Sequence, residues 1–126
     1  MDDLSFLDNR TLNAIAAAVR KSFAYNSIEY QNALTKACTL DGPKGGKRWK
    51  CSVCKVVSDR KDIHVDHIEP VIPIDTTMSR LTLKQFYDRC FCSSKNLQIL
   101  CRTCHKIKTI KENETRKNFK NLRKVS

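Results

Sequence analysis

Between the pairs Cys51-Ser52-Val53-Cys54 and Cys101-Arg102-Thr103-Cys104 lies the run His64-Val65-Asp66-His67-Ile68-Glu69-Pro70, and His105 follows the last cysteine directly. Cys-x-x-Cys lets two sulfurs from one tight turn bind the same ion, and two such turns complete a tetrahedron of the kind that closes around zinc. The gap from Cys54 to Cys101 holds 46 residues, well beyond a short ribbon spacing, so an ion there would join the two ends of a long insert. Inside that insert the donors change character. Soft thiolates suit zinc, whereas a carboxylate beside imidazoles suits a hard, hydrated cation and proton transfer. A closed structural metal site thus encloses an open reactive one, and that nesting points to an enzyme. Cys38, Cys90 and Cys92 lack a matching partner pattern and read as buried, reduced thiols.

The 126 residues allow one domain rather than two. Aromatic residues are only 7%, so the core is modest and a metal staple would help it. No apolar run approaches the roughly 20 residues that span a bilayer, and Met1-Asp2-Asp3 lacks the basic-then-apolar order of a signal peptide. The expectation is a cytoplasmic protein with no membrane partner, in a compartment where paired cysteines favour metal over disulfide. Net charge is +11 and uneven: residues 1–46 hold five basic and five acidic side chains, and the remaining 80 hold 19 and 8. All the excess lies on the part that carries the metal motifs, which suits a polyanion, nucleic acid first among them.

Leu12, Ile15, Ala16, Val19 and Phe23 recur at helical spacing over Arg10 to Phe23, with Asp8 or Asn9 available as the cap. A second helix is expected from about Ser27 to Ala37, with Ile28, Ala33 or Leu34, and Ala37 inward; the two would form a helical hairpin over residues 1–40. All three glycines then fall in Asp41-Gly42-Pro43-Lys44-Gly45-Gly46-Lys47-Arg48, a flexible basic loop within 41–50 whose Lys44, Lys47 and Arg48 suit phosphate contacts. Alternation over Asp62 to Ile68 and the stretch Lys95 to Leu100 predict two strands. Leu81 to Cys90 predicts a short helix using Leu83, Phe86 and Tyr87. Thr103 caps a basic helix from Cys104 to about Lys120, running into a basic tail over 113–126. The fold class is therefore α+β.

A neutral imidazole takes a proton from water near neutral pH, while a neighbouring carboxylate holds a divalent cation. His105, in the first turn of the last helix with Lys106 and Lys108, sits where the helix dipole attracts phosphate. Base, metal ligand and phosphate clamp converge on one chemistry.

The matching residues Cys51-x-x-Cys54, Val65-Asp66-His67-Ile68-x-Pro70 and Asn96-Leu97-Gln98-Ile99-Leu100-Cys101-x-x-Cys104-His105-Lys106-x-Lys108-Thr109 resemble the HNH (ββα-metal) endonucleases in their zinc-stabilised, four-cysteine form. Small free-standing phage-type members are especially similar, since they often place a Gly-Lys/Arg-rich loop before the first cysteine. The resemblance covers about residues 47–110. It implies a zinc-stabilised nuclease core over 51–112 that hydrolyses DNA phosphodiesters. In that core His67 is the general base, and Asp66 and His105 hold a catalytic Mg²⁺ or Mn²⁺. Asn96 fixes the loop that presents the imidazole, Cys51, Cys54, Cys101 and Cys104 bind structural Zn²⁺, and His64 is a candidate further ligand. It also implies a monomer or weak dimer, in host-cell cytoplasm if phage-encoded. The stretch from Glu69 to Ser94 is longer than in compact members. Two other functions fit part of the pattern: a non-catalytic zinc module that binds DNA, and a ribonuclease built on the same motif.

Overall fold

Asp8 caps the first helix, accepting the Thr11 amide at 2.7 Å, and α1 runs Asn9–Asn26. Ser27 closes α1 through its own amide and opens α2, Ile28–Ala37, by accepting the Tyr30 amide. The structure, a computed structural model, describes residues 2–125, with side chains to residue 122. Met1 and Ser126, at the ends of the expected N-terminal extension and basic tail, lie outside the described residues. Short strands β1 (Cys38–Thr39), β2 (Arg48–Lys50) and β3 (Val57–Ser58) form an antiparallel sheet in that order. Next come β4 (Ile63–His67), α3 (Leu83–Cys90), β5 (Leu97–Cys101) and α4 (Arg102–Val125). β4 and β5 pair antiparallel, with Asp66 opposite Gln98 and His67 opposite Leu97, and α4 packs on both strands. The class is α+β.

One apolar core joins regions far apart in sequence. Leu4, Leu12, Phe23 and Ala33 from the N-terminal segment pack with Val71, Met78, Leu81, Phe86 and Cys90 from the insert, and with Leu97 of β5. The Leu4 amide donates to the Leu81 carbonyl at 2.9 Å. The hairpin α1–α2 and the long insert therefore pack on each other. Thr82 and Gln85 form a reciprocal capping box at the start of α3, worth about 1 kcal/mol, and it holds fully buried Phe86 in that core.

Several details differ from the sequence expectation. Ile28 is exposed, because as the first residue of α2 it points away from the core; Tyr30 turns in instead, edge-on to Phe23 at 5.3 Å. Leu83 and Tyr87 are also exposed, and Phe86 alone of the three expected residues is buried. Thr103 does not cap α4, which begins at Arg102 directly from β5. Cys38 and Cys92 are half-buried, and only Cys90 is fully enclosed. The glycine-rich segment is a closed turn rather than an open loop. The Gly42 amide donates to Gly46 O at 2.9 Å, so close that a Cβ on Gly42 would lie 2.7 Å from that oxygen.

Candidate functional site

The four motif cysteines meet at one end of the β4–β5 hairpin. Cys51 and Cys54 lie in the turn after β2, Cys101 ends β5, and Cys104 is in the first turn of α4. The turn is built by Lys55 N–H donating to Cys51 O and Cys51 N–H donating to Val56 O, with Lys55 in the left-handed region at φ 67°. The Ser52 amide ties it to β5 through Ile99 O at 2.8 Å. All four sulfurs lie within 4.8 Å of one another. Cys54 Sγ and Cys101 Sγ are 3.7 Å apart, far beyond a disulfide bond of about 2.05 Å and close to the ~3.8 Å edge of a tetrahedron with Zn–S bonds of about 2.3 Å.

Burial opposes ionisation of Cys51, but backbone amides of Cys101, Cys54 and Val53 outweigh it and bring the thiol down to about 6. Cys104 is pushed up to about 12 by burial and by the neighbouring sulfurs. Four thiolates this close repel one another unless a cation lies between them, so the donor set fits a metal. These cysteines could hold a structural metal such as zinc. Cys38, Cys90 and Cys92 are not part of the group.

The second constellation lines a polar cleft of about 320 Å³ beside β4, where Asp66, His67 and His105 meet Arg20, Lys108 and Glu112. Asp66 is buried; its Oδ2 accepts Gln98 Nε2 at 3.0 Å and lies 3.2 Å from Lys108 Nζ. The same ammonium donates to Glu112 Oε2 and to the His67 carbonyl, both at 3.0 Å. Lys108, expected at a DNA surface, therefore points into the cleft and bridges two carboxylates. His64 is not among the cleft residues; its ring stacks on His105 with centroids 4.3 Å apart. Burial lowers its pKa, and the neighbouring His105 adds to the effect.

His67 packs against Phe23 of α1 at 5.0 Å between ring centroids, and its Nε2 is 2.8 Å from the Cys90 carbonyl. A carbonyl only accepts, so Nε2 carries the proton and Nδ1 is left as the basic nitrogen. Burial lowers the His67 pKa below its ordinary 6.5. The Cys90 carbonyl opposes that shift, and the positive charge of Arg20 reinforces it. Asn96 grips the chain just beyond β4: its Oδ1 accepts the Glu69 amide at 2.9 Å, its Nδ2 donates to Glu69 O at 3.1 Å, and its own carbonyl accepts the Ile68 amide. The cleft rim at Pro70 to Pro73 is held by Arg89, which donates to Pro70 O and Val71 O, and by Arg116 of α4, which donates to Ile72 O and Pro73 O.

Lys44, Lys47 and Lys106 are exposed, whereas Arg48 lies 3.4 Å from Asp59. Sequence reading missed Arg20, Phe23, Gln98, Glu112 and the Cys90 carbonyl. Only Glu112 carried a local signal, since His105, Lys108 and Glu112 fall on one helical face. Among the described residues no helix is long and apolar enough to cross a membrane. No protein-family model matches the chain, and no curated protein or solved structure is significantly similar to it.

Proposed function

We propose that this chain is a metal-dependent endonuclease with a ββα-metal core of the HNH type, hydrolysing DNA phosphodiester bonds. The observation that carries the reading is the cleft itself. An imidazole held in one tautomer by a backbone carbonyl lines it together with a buried carboxylate and a second imidazole. Asp66 and His105 are the residues that would hold a divalent cation, with Glu112 tied to Lys108 rather than grouped with them. Lys108 already supplies positive charge to Asp66, so a divalent cation there would displace its ammonium. When bound, such a cation supplies charge at a phosphate oxygen and at the leaving 3′-oxygen.

The remaining work falls to the chain. Nδ1 of His67 takes a proton from the water whose oxygen bonds to phosphorus, the P–O3′ bond breaks, and the 3′-oxygen is protonated by solvent. Asn96 and the Cys90 carbonyl act as positioning groups, one fixing the backbone beyond His67 and the other its ring. The direct test is incubation of purified protein with supercoiled plasmid, with and without Mg²⁺ or Mn²⁺. Conversion to nicked or linear DNA only with the metal is the expected result; binding without cleavage would favour a non-catalytic zinc module. An RNA substrate in parallel separates the ribonuclease reading.

Lys108 offers a test that does not depend on turnover. With Lys108→Met, Asp66 and Glu112 lose their shared cation, and removing one partner of a buried ion pair costs about 3–5 kcal/mol. Partial exposure of these side chains (22% for Lys108, 10% for Asp66) places the expected loss at or below the lower end. Millimolar Mg²⁺ or Mn²⁺ should restore much of that stability in the variant and less in the parent. Thermal unfolding across a metal titration measures it; a variant melt indifferent to divalent ions would remove Asp66 from the cation site.

A further inference from the structure

A second cleft, of about 460 Å³, runs between α2 and the strands β2 and β5. Lys36 of α2, Lys50 of β2, Lys55 of the cysteine turn and Lys95 just before β5 all line it, and no carboxylate does. Among the described residues none of these four lysines takes part in an ion pair, although Lys55 already donates to the Ser52 carbonyl at 2.7 Å. Other basic side chains are engaged within the fold: Arg89 and Arg116 hold the rim carbonyls, Arg102 pairs with Asp62, and Lys108 bridges Asp66 and Glu112. Glu29 of α2, whose carboxylate reaches the cleft-lining Ser94, is occupied in accepting its amide. The Thr39 hydroxyl, on a residue that also lines the cleft, is buried without a hydrogen-bond partner. Four ammonium groups around one concavity repel one another until an anion enters.

We infer that this cleft binds the phosphodiester backbone of a nucleic acid, as a site separate from the His67 cleft. A single free phosphate would bring one centre to lysines carried on four different segments. A polynucleotide brings a charge about every 3.4 Å along each strand and can satisfy several at once. The inference takes its ligand class from the nuclease reading, but its test needs no cleavage.

The experiment measures binding of the parent and of the triple variant Lys36→Gln, Lys50→Gln, Lys95→Gln across a salt series. Lys55 is left intact because it shapes the cysteine turn. The probes are a labelled DNA duplex, the single-stranded DNA and an RNA of the same sequence, each in buffer without added divalent cation to prevent turnover. If all three lysines contact phosphates, the slope of log affinity against log salt should fall by about 2.7 for duplex DNA or about 2.1 for a single strand. The arm in which the slope falls identifies the nucleic acid held there. Circular dichroism and metal content should match the parent. An unchanged slope in every arm, or a parent that binds none of the probes, overturns the inference. The nuclease reading fails separately, when the parent binds with a lysine-dependent slope and cuts nothing.

Discussion

His67→Ala is expected to leave the fold, the metal content and nucleic-acid affinity near those of the parent while reducing cleavage by about 10²- to 10⁴-fold, the usual cost of losing a general base. The substitution also removes the donor to the Cys90 carbonyl, a loss of about 1 kcal/mol that a domain with a margin of about 5–15 kcal/mol survives. Single-turnover plasmid cleavage across a magnesium titration, with binding followed separately, distinguishes this from its neighbours. Asp66→Ala should raise the metal requirement as well as lower the rate, because on the proposed reading it removes a ligand. Asn96→Ala should fall between them, leaving both groups present but poorly aimed, since its two bonds to Glu69 are what it loses.

The pH profile carries the same signature. Burial holds His67 below its ordinary 6.5, so the imidazole is neutral at pH 7, and the rate should start to fall only at a pH below that of a free histidine. Stability follows the same group with a definite sign. As pH falls, the unfolded chain takes up its proton near 6.5 and the folded chain at a lower pH. The contribution of His67 to stability is therefore complete above about 6.5 and is lost progressively as pH falls toward the folded-state value. His67→Ala should flatten that part of the acid limb. A variant that cleaves at near the parental rate would dismiss His67 as the base and favour the non-catalytic module.

Local spacing carried the parts of this molecule that depend on local chemistry. Two Cys-x-x-Cys turns predict the sulfur quartet wherever the chain between them goes, and Ile63, Val65 and their polar alternates predict β4. What spacing could not carry is the pairing of distant segments. Nothing near Leu4 says that its amide will meet Leu81, and nothing in α1 says that Phe23 will pack on His67. From sequence the N-terminal hairpin is only a pair of helices outside the stretch that carries the resemblance, yet its α1 forms one wall of the His67 site. Lys108 shows a different failure: its charge suggested a phosphate contact, while its place one turn after His105 already put it on the face that meets Asp66. Charge counted along a sequence ignores the carbonyls and carboxylates that the fold brings to each cation, and here several arginines are held by such groups.

Cys101→Ser should be the most damaging single substitution for folding. Cys101 is the junction of the whole arrangement: it ends β5, pairs in register with Ile63, leads directly into α4, and places its sulfur 3.7 Å from Cys54. Serine nearly preserves its volume, so packing alone would cost little, whereas loss of one of four thiolates opens the metal site. Zinc binding at such sites is worth about 10–16 kcal/mol in small peptides, and that binding energy is folding energy; it is comparable with the whole stability of a typical domain, about 5–15 kcal/mol. The metal-free variant should unfold or aggregate under conditions where the parent melts cooperatively, and a strong chelator should bring the parent to the same state. Cys38→Ser, outside the quartet, should keep both its zinc and its melt and so serves as the control for handling and oxidation. Elemental analysis beside circular dichroism decides the matter: about one zinc per parent chain, lost together with structure in Cys101→Ser. A folded, cooperative parent that contains no zinc, or a Cys101→Ser protein that melts like the Cys38→Ser control, would mean that the four sulfurs converge without holding the fold together.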